Sequence, residues 1–242
     1  MTSIIIKKII KIAIITLSIS LLSACSSQSK KVDMQSAASY NAQLGAKYLQ
    51  AGRLELANEK LEKALKQNPN SSEVNHFYAI LKQRIGDNKA ATKYFKKAIR
   101  INKKDPSLLN NYGSHLCQIG HITEAIEYFD LATQNPFYTT PEFAYTNAGI
   151  CLRKKNDDAQ AESYFRKALD KNANFGSALF QMAKLNYHQG KYAKAQAFLL
   201  RYDEKNIATK ETLILCSNIN THLGDLKKAD ACTEKRLRLF TK

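Results

Sequence analysis

Residues 106–139 read PSLLNNYGSHLCQIGHITEAIEYFDLATQNPFYT, and this stretch decides the fold. Glycine stands at its positions 8 and 15 (Gly113, Gly120), alanine at 20 and 27 (Ala125, Ala132), and a large apolar residue at 24 (Phe129). Working outward, the same residue types recur every 34 residues: Gly52, Gly86 and Gly120; Ala57, Ala91 and Ala125; Leu61, Phe95 and Phe129; Ala64, Ala98 and Ala132. A two-residue insertion near Tyr138–Pro141 shifts the series, which resumes with Ala161 and Ala195, Phe165 and Leu199, and Gly190 and Gly224. A fixed period of this length marks stacked supersecondary units, each unable to bury its apolar face alone. Composition agrees. With 9 Gly and 4 Pro in 242 residues, turn residues are too few for a multi-stranded sandwich or barrel. Hydrophobic residues at 44% are too many for a disordered chain.

The pattern resembles the tetratricopeptide repeat, a pair of antiparallel helices. The resemblance implies an all-α, right-handed superhelix of about six repeats at 38–71, 72–105, 106–139, 142–175, 176–209 and 210–242. Small residues at positions 8 and 20 let the paired backbones approach. Position 15 must adopt positive φ, which Gly does freely and Asn156, its counterpart in repeat four, tolerates. Tyr94-Phe95, Tyr128-Phe129 and Tyr164-Phe165 recur at the repeat spacing and read as core, not as a binding stripe. Tyr202 stands where repeat five should carry Ala, and Thr233 and Arg236 occupy core positions of repeat six. The last repeat therefore reads as a loosely packed, solvent-facing cap.

Residues 1–24 read as a secretory signal: Lys7, Lys8 and Lys11, then an apolar run from Ile12 to Leu22. That run falls short of the ~20 residues a membrane span needs. The signal ends Leu22-Ser23-Ala24-Cys25, which resembles the bacterial lipobox. The resemblance implies cleavage before Cys25 and its acylation. Ser26, in place of an Asp retention residue, implies an outer-membrane, periplasm-facing location. Residues 25–37 read as a lipidated tether, and 38–242 as the repeat domain. The net charge of +16 loses three lysines with the leader, leaving +16 − 3 = +13. In the envelope this points away from nucleic acid and toward an acidic protein partner, or toward anionic lipid headgroups as a weaker reading.

Four cysteines remain beyond Cys25, an even number in an oxidising compartment. Cys117 and Cys151 lie at positions 12 and 10 of adjacent first helices, so a bridge between repeats three and four is geometrically reasonable. Cys216 and Cys232 are symmetric about Gly224 and offer a second bridge inside repeat six. The alternative is four buried thiols.

No phosphate loop, nucleophile elbow or metalloprotease motif is present. His115, Cys117 and His121 are not on one helix face, so no metal site is expected from them. The chain reads as a non-enzyme that takes neither cofactor nor small-molecule substrate. By resemblance, the concave face is lined by first-helix positions near 2, 5, 6, 9, 12 and 13. These supply His76 and Gln83; Asn110, Asn111, Ser114 and Gln118; Thr146, Asn147 and Arg153; and Phe180, Lys184 and Tyr187. Amides, cations and a few aromatics suit a protein segment with some negative charge. Asn111 and Asn147 share position 6, where peptide-binding members of the fold bond the ligand backbone. The carboxylate-clamp pattern is absent: its positions hold His76, Asn110 and Thr146, then Ile80, Ser114 and Ile150.

Lipobox, tether and six repeats together resemble the PilW/PilF family of type IV pilus biogenesis and stability lipoproteins. The match is closest at Leu109–Gly113 through Leu116-Cys117, Tyr138–Pro141, Asn147–Cys151, Phe165–Leu169 and Leu199–Tyr202. Tyr202, odd for a generic repeat, fits this family. The resemblance implies a pilotin that helps the pilus secretin localise and multimerise. The alternative is a repeat lipoprotein that recruits cell-wall hydrolases or joins outer-membrane protein assembly.

Overall fold

The computed structural model describes residues 33–204 and 207–240. The leader, Cys25 and the start of the tether lie outside the described residues. Among the described residues there is helix and no strand, as the repeat pattern requires. The helices are α1 (33–50), α2 (Leu54–Gln67), α3 (Ser72–Arg84), α4 (Asn88–Ile101), α5 (Pro106–Gln118), α6 (Ile122–Thr133), α7 (Pro141–Arg153), α8 (Asp158–Lys171), α9 (Gly176–His188), α10 (Tyr192–Asp203), α11 (Lys210–His222) and α12 (Leu226–Phe240). One correction concerns the tether. Residues 33–37 are already helical and belong to α1, because Met34 to Ala38 are compatible with helix and Ala38 packs into the core.

The chain forms two compact units, one ending at Asn102 and the other beginning at Lys103. The first holds α1–α4. Its core joins Ala38, Ala42 and Leu49 of α1 to Ala57, Leu61 and Ala64 of α2 and Val74, Tyr78 and Leu81 of α3. The second holds α5–α12. There each second helix packs against the next first helix (α6 on α7, α8 on α9, α10 on α11), and successive first helices also touch.

Local sequence explains where the helices begin and end. Asp87, Asp105 and Asp157 each accept a hydrogen bond from the backbone N–H three residues on, which satisfies a donor the helix cannot. Ser71 does the same for α3, and Thr209 and Thr212 form a reciprocal capping box at α11. Proline opens α5 and α7, where its missing N–H costs nothing. Every described hairpin turn carries a positive φ at repeat position 15, at Gly52, Gly86, Gly120, Gly190 and Gly224 and, at 59°, at Asn156.

In three hairpins the two helices approach over bare backbone, at Gly45, Gly113 and Gly149. A Cβ placed on Gly113 would sit 2.9 Å from the Phe129 ring and 3.1 Å from the Ala125 carbonyl oxygen. Gly149 meets the Phe165 ring, and Gly45 meets Leu61, in the same way. Phe95, Phe129 and Phe165 are fully or almost fully buried, and their tyrosine neighbours are half-buried or buried, so these pairs are core. Tyr164 also carries a bond across repeats: its hydroxyl reaches both carboxylate oxygens of Asp130, at 2.9 and 3.0 Å. Tyr202 replaces the expected alanine because its ring packs toward Phe180 and its hydroxyl donates to the Ile207 carbonyl at 3.0 Å. In the last hairpin only Ala229 of α12 is buried, and Thr233 bonds Ser217 across the pair at 3.0 Å.

Gly149→Ala isolates the close approach. Alanine favours the helix by ~1 kcal/mol, but the added methyl overpacks the Phe165 ring, at a cost of ~1–3 kcal/mol. Urea unfolding is expected to show a net loss of stability with an unchanged m-value.

Candidate protein-binding face

The first helices carry the polar side chains that core packing does not consume. In the first unit His76 does not line an open surface. It is buried, stacked on Phe77 with ring centroids 5.3 Å apart and tilted against Phe95 at 6.1 Å. This corrects its assignment as a groove residue: the ring fills space between α3 and α4. Gln83, about two turns further along α3, is half-buried.

In the second unit three of the expected residues meet. The Asn147 amide of α7 donates to Asn110 Oδ1 at 3.0 Å and to Ser114 Oγ at 3.3 Å, both on α5. Ser114 Oγ in turn donates to the Asn110 carbonyl at 3.0 Å. The three form a polar ladder that fixes the two first helices in register. Asn110 is buried at 9% exposure, so it supports the face and presents little of itself. Thr146 is a second correction: at 2% exposure its hydroxyl points into the interior, without a hydrogen-bond partner among the described residues. Asn111 and Asn147 are half-buried, and Gln118 is exposed.

The cations are partly committed. Arg153 Nε donates to Asp158 Oδ1 at 3.2 Å, tying the end of α7 to the start of α8 across the Asn156 turn. Lys154 Nζ reaches the Cys117 carbonyl at 3.3 Å, where a cation suits the carbonyl end of α5. Lys184 lies 5.6 Å from the Phe180 ring centroid, one turn away on α9. Tyr187 packs against Tyr192 and His222, both at 5.6 Å, and Tyr192 stacks on His222 at 4.3 Å. This aromatic cluster and the Arg153–Asp158 pair escaped sequence reasoning, because each joins residues on different helices with no shared periodicity.

The four described cysteines are paired. Cys117 and Cys151 join α5 to α7 with Cα atoms 5.7 Å apart, and Cys216 and Cys232 join α11 to α12 at 6.0 Å. Both separations lie in the range a disulfide spans. The first pair is buried, at 7% and 0% exposure. The second is half-buried and lines an open pocket of about 200 Å³ with Leu199, Leu200 and Ile219. Among the described residues no group of three or more His, Cys, Asp or Glu could hold a metal, and no helix is long and apolar enough to cross a membrane.

Comparison with known proteins gives this surface its context. Tetratricopeptide-repeat models match residues 72–105 and 146–207. The type IV pilus assembly protein PilF of Pseudomonas aeruginosa is 32% identical over 156 residues, covering 64% of this chain and 62% of the relative. The chain thus matches a little under two thirds of that relative's length. An uncharacterized protein of Haemophilus influenzae is 30% identical over 152 residues, covering 62% of this chain and 83% of the relative. The structure of P. aeruginosa PilF superposes with a TM-score of 0.76 at 27% identity, covering 86% of this chain and 94% of that one. The structure of PilW, described as a widely conserved type IV pilus biogenesis factor, gives 0.75 at 26% identity, covering 84% and 93%.

The two bridges differ in access, and that difference is measurable. With limiting reductant on the folded protein, Cys216 and Cys232 are expected to become alkylatable first. Cys117 and Cys151 should stay protected until the protein unfolds. Mass spectrometry of alkylated peptides reads this directly; both pairs opening together would contradict it. Removing the Cys117–Cys151 bridge should cost ~3–4 kcal/mol for a loop of this length.

Proposed function

Because the chain belongs to the tetratricopeptide-repeat family of type IV pilus biogenesis proteins, we propose that it is an outer-membrane lipoprotein scaffold of the pilotin kind. In this reading Cys25 is acylated after the leader is cleaved, and the lipid chains hold the protein on the periplasmic side of the outer membrane. More than one chain makes such an anchor stable. The repeats bind subunits of the pilus secretin, and the anchor confines them to one surface. Confinement raises their effective concentration, so ring assembly is promoted without any covalent chemistry.

The observation that carries this reading is the likeness to PilF over 94% of its solved chain. The face itself supports it in physical terms. The Asn110–Ser114–Asn147 ladder holds α5 and α7 in register, and Lys184 near Phe180 adds a cation next to an aromatic ring. Mixed amides, cations and aromatics suit an extended protein segment. A mature charge of +16 − 3 = +13 steers the encounter toward an acidic one.

Deleting the gene is expected to abolish heat-stable secretin multimers and surface pili; normal multimers in the deletion strain would overturn the reading. A Cys25→Ala variant should leave the outer-membrane fraction. If it fractionates normally, the lipid anchor is wrong while the secretin reading stands.

A further inference from the structure

The connection between α6 and α7 holds the two-residue insertion that breaks the 34-residue period, and it presents Phe137 at 87% exposure. The neighbours of Phe137 are held on both sides. Asn135 Oδ1 accepts the Phe137 N–H at 2.9 Å, while the Asn135 amide donates to the Lys104 carbonyl at 3.0 Å. Pro136 fixes its own φ. On the far side Tyr138 is buried, and its N–H bonds the Asn135 carbonyl at 3.1 Å. A clamped amide, a proline and a buried tyrosine thus hold a large apolar ring out in solvent, where it loses the stabilisation that burying an aromatic side chain provides.

Phe137 forms one wall of a pocket of about 460 Å³, with Leu109 and Leu131 as its other large apolar residues; Leu131 is 47% exposed. Lys103 and Lys104 line the same pocket, and none of the described residues lining it is acidic. The lysines sit on the connection that opens this unit, and Lys103 is exposed.

We infer that this pocket is a second docking surface, for an acidic segment of a partner protein that carries an apolar side chain. The apolar side chain seats between Leu131 and Phe137, and adjacent carboxylates meet the lysine ammonium groups. Because the Asn135 clamp orders the loop beforehand, little conformational freedom is lost on binding. The basic rim accelerates encounter and selects against basic segments. The surface lies at an inter-repeat connection and does not include the first-helix ladder, so it stands whether or not the ladder binds a secretin.

Short random peptides displayed on phage, selected on the intact chain in detergent, test this directly. The enriched peptides should carry Asp or Glu beside an aliphatic or aromatic residue. Their affinity should fall by about tenfold or more in Phe137→Ala, fall similarly in Lys103→Glu, and weaken as ionic strength rises. Phe137→Tyr should retain binding, and Lys184→Ala, on α9, should change it by less than about twofold. Both Phe137 and Lys103 are exposed, so matched thermal melts are expected. A selection that enriches no acidic, apolar-bearing peptide overturns the inference, as do peptides that bind Phe137→Ala and Lys103→Glu as they bind the parent.

Discussion

An apolar side chain laid on bare backbone holds each unit of this protein together. Phe165 rests on Gly149, Phe129 on Gly113 and Leu61 on Gly45, each joining the second helix of a hairpin to the first. In these three hairpins one partner has no side chain and the other fills the space it leaves, whereas Ala79, Ala183 and Ser217 hold the same position in the other hairpins. Interiors packed to this density lose stability with a single added or missing carbon. In the first five repeats this keeps position 8 small and position 24 large and apolar, and leaves many other positions free to vary.

The freed positions become the surface. Where the core takes positions 8, 20, 24 and 27, the first helix can spend other positions on amides, and the Asn110–Ser114–Asn147 ladder locks α5 and α7 in register. The Cys117–Cys151 bridge fixes the same two helices, and Tyr164 bonded to Asp130 ties α8 to α6. Repeats three and four are therefore joined by a covalent bond, by a polar ladder and by a tyrosine–carboxylate bond. A rigid platform of this kind can present side chains without paying again for their order on binding.

The repeat architecture was legible because packing writes it periodically. The positive φ at Asn156 follows from its place in the turn series, and Tyr202 has a reason in the Ile207 carbonyl it meets. The face was less legible. Position alone put His76 and Thr146 on it, yet both side chains turn inward, because burial depends on which ring or helix stands opposite. Arg153 was placed on the face by position, yet it bonds Asp158 beyond the turn, a contact set by how α7 meets α8. Phe137 passed unnoticed because its exposure comes from the loop's hydrogen bonds, not from its own residue type.

Membership in a pilus biogenesis family, a scaffold built for protein contact and an anchor expected at Cys25 make one account: a tethered platform that gathers secretin subunits at the outer membrane. Its central claim is direct contact between the first-helix face and the secretin. A photoreactive residue placed at Asn111, irradiated in intact cells, measures that contact. The account predicts a crosslinked species containing the secretin monomer. Crosslinks that contain cell-wall hydrolases or barrel-assembly subunits, with no secretin, would contradict it.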